Sequence, residues 1–509
     1  MTDPEFFLAL ASAEKVKTTT EAALVINARN DVVAIGTGSA AGCETPIANV
    51  LHAAQGRLDQ CWIAATYPPT ALCLGMGGLL GIDAVAYLDI HRNVQDAAAL
   101  QQIVKLRSIA KTAVDPFQTK PKTQVPDFKT APDQYLSKLN TEFALLKETY
   151  QGAVKTFNAA GRFNSRALPP QLQTAFTTVP ATPPPTTLST EESDLIYMRL
   201  AYALVGQTWN PVINWDLKAT SGESLGGNNV GVVFVHQNKI IGWGINVAAQ
   251  NPIFHAESAG ILAYLKGGNA SLPNGTKVYT TLEPCKMCSG MIVAAGANIE
   301  AIYGAGDFAI KTILTDGSKP NGCSERKPKV DGFGFAETWI QGRKDEQREL
   351  ARLGGDEGGG ASTKFLRDDE DEKYRAALKM KAGLNPQQAK TYSALLTQME
   401  EHNRSYPNKK SRPPFRRQKE YDSLKAQLDD LPKKRRALAD NYKKGNMGNK
   451  YATYADSIVD EWKRLKGQPD SDQRRAYEQC IEVLKTVAVA GLTTNYGLNF
   501  VNAFFADFA

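Results

Sequence analysis

The feature that most restricts the fold of this chain is a histidine–glutamate pair followed by a pair of cysteines. His255 and Glu257 stand two residues apart, and Cys285 and Cys288, directly after Pro284, follow about thirty residues later. Two cysteines three apart on a helix share one face, and a helix N-terminus stabilises the thiolate form that binds metal. With His255 as third ligand, the pattern predicts a zinc site with one tetrahedral position left open for water.

Glu257 completes the chemistry that such a site can carry out. Zinc lowers the pKa of bound water to about 7, and a carboxylate is needed to take that water's proton and pass it to departing ammonia. His-x-Glu followed by Pro-Cys-x-x-Cys is the signature of zinc nucleobase deaminases. We therefore predict Glu257 as the catalytic residue and His255, Cys285 and Cys288 as ligands of Zn2+. The alternative is a structural zinc site in which Cys323 is a fourth ligand.

The segments around these residues resemble the cytidine deaminase superfamily, most closely its branch of tRNA adenosine deaminases and guanine deaminases. The resemblance covers residues 190–310 and is carried by the words HAE, TLEPCKMCSGMI and YGAGD. It implies a five-stranded sheet between helices, with the zinc ligands and proton shuttle named above. It also implies that Asn246 contacts the base, with a simple turn residue as the alternative, and Pro284 is the second predicted substrate-binding residue.

Changes of composition along the 509 residues predict an α/β fold with a helical addition. Residues 1–115 read as a first α/β domain, and 116–188 as a helical segment and a linker that contains six prolines. Residues 189–335 hold the metal-site pattern, and a capping box is predicted at Ser189 and Glu192. Residues 336–509 form a mainly helical, basic C-terminal region.

The first α/β region is predicted to be a diverged copy of the second. When Pro69 is aligned with Pro284, Thr70 takes the place of the first cysteine and Cys73 that of the second. The His-x-Glu pair then corresponds to His52 or to Asn49, and either alignment loses the glutamate. We therefore expect tandem three-layer domains, each with a five-stranded mixed sheet between helices. The first would be a degenerate, pseudo-enzyme copy that makes the chain a monomer with an internal pseudo-dimer.

Positive charge is concentrated near the C-terminus. Residues 404–450 contain fifteen Lys/Arg and five Asp/Glu, a local charge of +10 that leaves −4 for the rest of the +6 chain. Tyr406, Phe415, Tyr421 and Tyr442 lie between the basic residues, a combination that suits phosphate neutralisation and base stacking. A solvated helix face is the alternative. The predicted nucleic-acid-binding residues are Lys409, Lys410, Arg412, Arg416, Arg417, Lys433, Lys434, Arg435 and Arg436.

These features favour an enzyme that deaminates a base in RNA or single-stranded DNA, since a base inside a duplex must first be unstacked. The product would be hypoxanthine from adenine or uracil from cytosine, and the resemblance favours adenine. A deaminase of a free base, nucleoside or other small heterocycle is one alternative, and a non-catalytic nucleic-acid-binding zinc protein is another.

The remaining composition restricts the compartment. No run of eighteen apolar residues occurs, so no membrane span is expected. The N-terminus is acidic rather than basic, which disfavours a signal peptide. Seven scattered cysteines suit free thiols and metal ligands in a reducing compartment. We expect a cytoplasmic protein, and secretion without a cleavable signal stays open.

Overall fold

The computed structural model describes residues 3–39, 42–53, 58–87, 147–164, 168–209, 229–248, 251–306, 314, 319–334, 386–405, 413–426 and 447–493. These residues form two α/β units, each built on a five-stranded mixed sheet, with further helices towards the C-terminus. The predicted fold class is therefore confirmed. Within the described ranges, no helix is long and apolar enough to cross a membrane.

The first sheet has the strand order β4-β3-β1-β2-β5. Its strands are β1 (Glu21–Ile26), β2 (Val32–Gly38), β3 (Trp62–Ala65), β4 (Ala84–Tyr87) and β5 (Gly161–Phe163). The β1–β2 hairpin turns at Asn30, which has a positive φ of 62° that asparagine tolerates better than most residues. Strand β3 runs antiparallel to β1, and β4 runs parallel to β3.

Helices cover both faces of this sheet because successive strand residues point to opposite sides. On β1, Leu24 and Ile26 belong to a small core with α1 (Asp3–Thr18) and α4 (Lys147–Ala159), whereas Ala23 and Val25 belong to the main core. The main-core side carries α2 (Pro46–Ala53) and α3 (Ala71–Leu80). The first unit is thus a three-layer α/β/α structure.

The second sheet repeats this plan, with the strand order β10-β9-β8-β6-β7. Its strands are β6 (Gly231–His236), β7 (Lys239–Ile245), β8 (Lys277–Leu282), β9 (Glu300–Ala305) and β10 (Ser324–Arg326). The order β9-β8-β6-β7 matches β4-β3-β1-β2 of the first sheet, with the same parallel and antiparallel pairings. The fifth strand joins opposite edges in the two sheets, since β5 pairs with β2 and β10 pairs with β9.

Three helices form the outer layers of the second unit. Helix α6 (Thr190–Gln207) lies on one face, and α7 (Ala256–Lys266) and α8 (Lys286–Ala295) lie on the other. Helix α6 begins with the predicted capping box, in which Ser189 and Glu192 exchange side-chain-to-backbone hydrogen bonds of 3.1 and 2.8 Å. Apolar side chains are buried all round α6, which requires a further layer outside it.

The C-terminal helices supply that layer. Helices α10 (Met447–Lys466) and α11 (Asp472–Val489) pack against α6. The buried Tyr451 ring stacks on Tyr202 of α6 with 5.1 Å between centroids, and the backbone of Tyr451 lies against Gly206. Part of the C-terminal region is therefore a structural layer of the second unit. Another helix, α9 (Pro386–Ser405), packs with residues 413–426 around Leu395 and Leu424.

The Pro-rich segment that we expected to be a linker is instead packed. Residues Pro170–Thr177 form helix α5, whose Phe176 is fully buried. Beyond it, Glu482 of α11 accepts hydrogen bonds from the backbone of Ala181 and Thr182. The linker prediction rested on the prolines alone. It missed the packing because the carboxylate that binds the segment, that of Glu482, lies about 300 residues away in sequence.

Candidate active site

The ends of two helices bring the predicted metal ligands together. His255 and Cys285 each occupy the position directly before a helix, α7 and α8, with nearly identical backbone angles (φ −66°, ψ 166° and φ −65°, ψ 172°). Their carbonyls accept 2.8 Å hydrogen bonds from Ala259 and Ser289, the first intrahelical bonds. The positive ends of two helix dipoles therefore meet where thiolates are needed.

The three ligand atoms have the spacing of a tetrahedral zinc site. Cys285 Sγ and Cys288 Sγ lie 3.5 and 3.6 Å from His255 Nδ1, and all three atoms lie within 4.8 Å of one another. Zinc–sulfur and zinc–nitrogen bonds of about 2.3 and 2.0–2.1 Å at tetrahedral angles imply ligand separations of about 3.5–3.8 Å. The side chains fit zinc, the cofactor predicted from the sequence.

Electrostatics distinguish the two cysteines. The pKa of Cys285 lies well below the ordinary thiol value because Cys288 donates a hydrogen bond to its sulfur, and His255 adds a favourable charge. Burial raises the pKa of Cys288 well above that value. Both thiols must lose their protons when they bind zinc.

Glu257 lies beside the ligands in the first turn of α7. Its side chain is buried, and its Oε1 accepts a 2.7 Å hydrogen bond from Oγ1 of Thr280 on β8. Burial raises the pKa of Glu257, and the Cys285 charge adds to this effect, whereas the Thr280 hydrogen bond lowers it. A raised pKa suits a carboxyl group that must both accept and donate a proton near neutral pH. The sequence gives no sign of Thr280, since its role depends on β8 facing α7.

The two predicted substrate-binding residues lie at the edge of this cluster. Asn246 directly follows β7, and its Oδ1 accepts a 3.0 Å hydrogen bond from the Ala248 backbone, which is the turn role considered as the alternative. Pro284 is buried and precedes the residue that caps α8, so it lies just outside the helix rather than in its first turn. Their contact with a substrate stays a prediction.

Cys323 is not a fourth ligand. It is buried next to β10, and its Sγ lies 3.8 Å from the carbonyl oxygen of Gly296, beyond the C-terminal end of α8. In the described part of the chain, the group that can hold a metal consists of His255, Cys285 and Cys288. The alternative in which Cys323 is the fourth ligand of a structural site is therefore wrong.

Neither His52 nor Asn49 is the counterpart of His255 in the first domain. That position belongs to Thr45, which precedes α2 and accepts a 2.8 Å backbone hydrogen bond from Asn49 four residues later, as His255 does from Ala259. The prediction failed because it looked for a histidine, or for a match of Pro46 and Ile47 with Pro252 and Ile253. The shorter loop between β2 and α2 shifts the register.

Hydrogen bonds fill the space that corresponds to the metal site. Cys73 Sγ lies 3.1 Å from the Thr45 hydroxyl, 3.3 Å from that of Thr70 and 3.7 Å from that of Tyr67. The sequence alignment of Thr70 and Cys73 with the two cysteines agrees with this geometry. Ile47 stands at the position of Glu257, two residues after Thr45, so this cluster contains one thiol and lacks the carboxylate.

Most of the predicted nucleic-acid-binding residues lie outside the described residues. Arg416 and Arg417 are described and exposed, and Arg417 forms a 2.7 Å ion pair with Glu420 on the same helical turn. Phe415 and Tyr421 pack on the small core around Leu395 and Leu424, so base stacking by these two aromatic residues is not supported. The residues outside the described ranges are Lys409, Lys410, Arg412, Lys433, Lys434, Arg435 and Arg436.

Comparisons with known proteins point to the same domain. Residues 216–304 match the family model for the cytidine and deoxycytidylate deaminase zinc-binding region. The matched range includes His255, Cys285 and Cys288. A tRNA-specific adenosine deaminase of Haemophilus influenzae is 36% identical over 97 residues, 18% of this chain and 53% of that protein.

A second such deaminase, from Buchnera aphidicola, is 42% identical over 77 residues, which cover 14% of this chain and 45% of that protein. The chain thus spans about half the length of the curated relatives it matches. A solved guanine deaminase of Nitrosomonas europaea aligns over 32% of this chain and 86% of its own, at 18% identity and a TM-score of 0.22. The second α/β domain therefore carries the zinc-binding region of the cytidine deaminase superfamily.

Proposed function

We propose that this chain is a zinc-dependent hydrolase that deaminates a nucleobase in RNA or single-stranded DNA. The observation that carries the proposal is the buried carboxyl group of Glu257 beside three ligand atoms at zinc spacing. His255, Cys285 and Cys288 would hold the ion. When bound, zinc makes water nucleophilic at neutral pH because it lowers the pKa of that water to about 7.

The residues of the chain move the proton. Glu257 takes a proton from the attacking water and donates it to the amine nitrogen of the base. A carbon–oxygen bond forms, the carbon–nitrogen bond breaks and ammonia leaves. The second proton of the water ends on the neighbouring ring nitrogen, so that a carbonyl replaces the amine. Thr280 holds the carboxyl group in place through its 2.7 Å hydrogen bond.

The choice of a polynucleotide rests on two observations. The relatives that match this domain are named tRNA-specific adenosine deaminases, which supports RNA and favours adenine as the base. The local charge of +10 between residues 404 and 450 suits a polyanion. The first domain, in which Thr45 and Ile47 stand where the second has His255 and Glu257, would be a pseudo-enzyme copy.

The test is to incubate the protein with tRNA, single-stranded DNA and free nucleosides and to measure the products by mass spectrometry. A gain of about one dalton per converted base in a polynucleotide is expected. Activity should fall as salt rises, because a polyanionic substrate releases counterions on binding.

The matched control is Glu257→Gln, which keeps the shape of the side chain. It should keep the metal and lower kcat by about 10²–10⁴-fold. Conversion of free nucleosides only would replace the proposed substrate by a small heterocycle. Nucleic-acid binding without conversion, equal in the wild type and in Glu257→Gln, would indicate a non-catalytic zinc protein.

A further inference from the structure

The first domain contacts both segments that carry the metal ligands. Helix α3 crosses α8 so closely that a Cβ atom on Gly75 would lie 2.7 Å from Cα of Met287, the residue between Lys286 and Cys288. A Cβ atom on Gly290 of α8 would in turn lie 2.7 Å from the backbone nitrogen of Leu72 on α3.

These two contacts are equivalent by the internal repeat. Gly75 follows Cys73 by two residues, as Gly290 follows Cys288, so each helix places its glycine against the other's first turn. The helices therefore meet about a pseudo-two-fold axis, and the cysteine-bearing turn of α8 is pressed against the backbone of α3. Only glycine permits backbones to approach so closely.

The histidine-bearing segment contacts the other helix of the first domain. Nδ2 of Asn251, four residues before His255, donates hydrogen bonds of 3.1 and 3.4 Å to the carbonyls of His52 and Leu51 in the last turn of α2. The Phe254 ring, directly before His255, lies 5.8 Å from the His52 ring at an interplanar angle of 28°. The carbonyls at a helix C-terminus lack intrahelical donors, and the Asn251 amide acts as the donor to these two carbonyls.

We propose that the degenerate first domain acts as a positioning scaffold for the metal site, with α3 fixing the Cys285–Cys288 turn and α2 fixing the approach to His255. Gly75 and Asn251 are its positioning residues, and neither touches the metal or the base. The inference rests on the proposed function. It adds a reason why the chain retains an inactive copy, because that copy would hold the three ligands at zinc spacing.

The test measures metal binding in the full chain with zinc and cobalt(II) as the probes. Gly75→Ala places a methyl group against the backbone of Met287, so α3 and α8 must move apart. We expect zinc affinity, measured by competition with a chromophoric chelator, to fall about 10–100-fold, as for other groups that orient metal ligands. The cobalt d–d absorption bands should shift, because a changed ligand geometry alters them.

Two matched variants separate positioning from folding. Gly78→Ala makes the same change on α3 where a Cβ atom meets nothing within 4 Å, and it should keep the wild-type affinity and cobalt spectrum. Asn251→Asp keeps the size and the Oδ1 atom that accepts from the Ile253 backbone but loses the donor to α2. It should also weaken zinc binding, and it carries the test if Gly75→Ala does not fold.

The outcomes distinguish this inference from the proposed function. Wild-type affinity and an unchanged cobalt spectrum in folded Gly75→Ala and Asn251→Asp would overturn the positioning role while deamination by the wild type stands. An equal loss in Gly78→Ala would also overturn it, because the effect would then come from α3 in general. A wild type that binds neither metal would overturn the proposed function and this inference together.

Discussion

The Oγ1 atom of Thr280 donates a 2.7 Å hydrogen bond to Oε1 of Glu257, and both side chains are buried between β8 and α7. This contact joins the centre of the second sheet to the group that we propose moves the proton. Its donor lies 23 residues from its acceptor in sequence, so it depends on how β8 and α7 face each other.

Thr280→Val should lower kcat about tenfold or more and leave KM nearly unchanged. A hydrogen bond to a charged group contributes about 1.5–3 kcal/mol, and about 1.4 kcal/mol corresponds to a factor of ten in rate. Steady-state kinetics on the substrate found by mass spectrometry would measure the effect. Thr276→Val is the control, since Thr276 is equally buried but bonds the Pro273 carbonyl at the other end of the strand. Equal kcat values in the two variants would remove Thr280 from the mechanism.

The three ligands should be needed for metal retention, and the remaining buried thiols should not. His255→Ala, Cys285→Ser and Cys288→Ser are expected to purify with little zinc, because three protein ligands leave no replacement when one is lost. Metal analysis by plasma mass spectrometry would measure this. Cys323→Ser should retain about one equivalent, since its sulfur contacts the Gly296 backbone instead.

Removal of the ion from the wild type should be reversible. A strong chelator is expected to abolish deamination and lower the melting temperature, because a ligand that binds only the folded state stabilises it by mass action. Added zinc should restore both. An unchanged melting temperature after verified metal loss would contradict this expectation, because an ion that binds only the folded state must stabilise it.

A buried ion pair should support the edge of the second sheet. Asp194 of α6 is fully buried and accepts hydrogen bonds of 2.7 and 3.0 Å from the Arg326 guanidinium of β10 and one of 2.8 Å from the Lys329 backbone. Asp194→Asn removes the buried charge of this pair, while Arg326 keeps its 2.9 Å contact with Glu300. The free energy of unfolding should therefore fall by about 3 kcal/mol, the lower end of the range for a broken buried pair.

Urea unfolding followed by tryptophan fluorescence would measure the loss. Glu420→Gln is the comparison, because it removes an exposed ion pair with Arg417 and such pairs contribute about 0–1 kcal/mol. A loss of similar size in both variants would mean that the buried carboxylate of Asp194 is replaced without cost by the amide.

The parts of the site that could be predicted are those whose chemistry shows in the residue type. His255, Cys285 and Cys288 are of residue types that bind metal, their spacing already places two of them on one helical turn, and the structure brings their ligand atoms together. Thr45 could not be found in the same way, because a threonine carries no sign of a lost histidine. Its position became visible only from the backbone hydrogen bond that starts α2.

The packing of the C-terminal helices on α6 could not be predicted from the sequence, although the apolar character of α6 on all sides indicates that it needs a further layer. Its buried residues surround the whole helix, including Met198 and Leu200 on opposite faces. Such a helix needs cover on both sides, and α10 supplies it. The basic character of residues 404–450 pointed instead to a separate nucleic-acid-binding region, and the aromatic pair Phe415 and Tyr421 turns out to pack on its own core.

The last prediction concerns the contact that holds the Pro-rich segment to α11. Asp472 accepts hydrogen bonds from the backbone and hydroxyl groups of Thr186 and Thr187, with N–O distances of 2.9 and 2.8 Å. The Thr187 hydroxyl is the largest of the causes that lower the pKa of Asp472, followed by the Thr186 backbone. Asp472→Asn replaces the charged acceptor and should lower the melting temperature at pH 7.

The difference between wild type and Asp472→Asn should depend on pH in one direction. A carboxyl group whose pKa is lowered on folding contributes stability that is fully present above its unfolded pKa, about 3.9, and is lost as the pH falls towards the folded value. The two melting temperatures should therefore differ at pH 7 and converge below about pH 4. Asp470→Asn, a change to a neighbouring carboxylate that is 63% exposed, should shift the melting temperature little at any pH. If the difference between the two melting temperatures grew on acidification, the hydrogen bonds from Thr186 and Thr187 would not be lowering the pKa of Asp472.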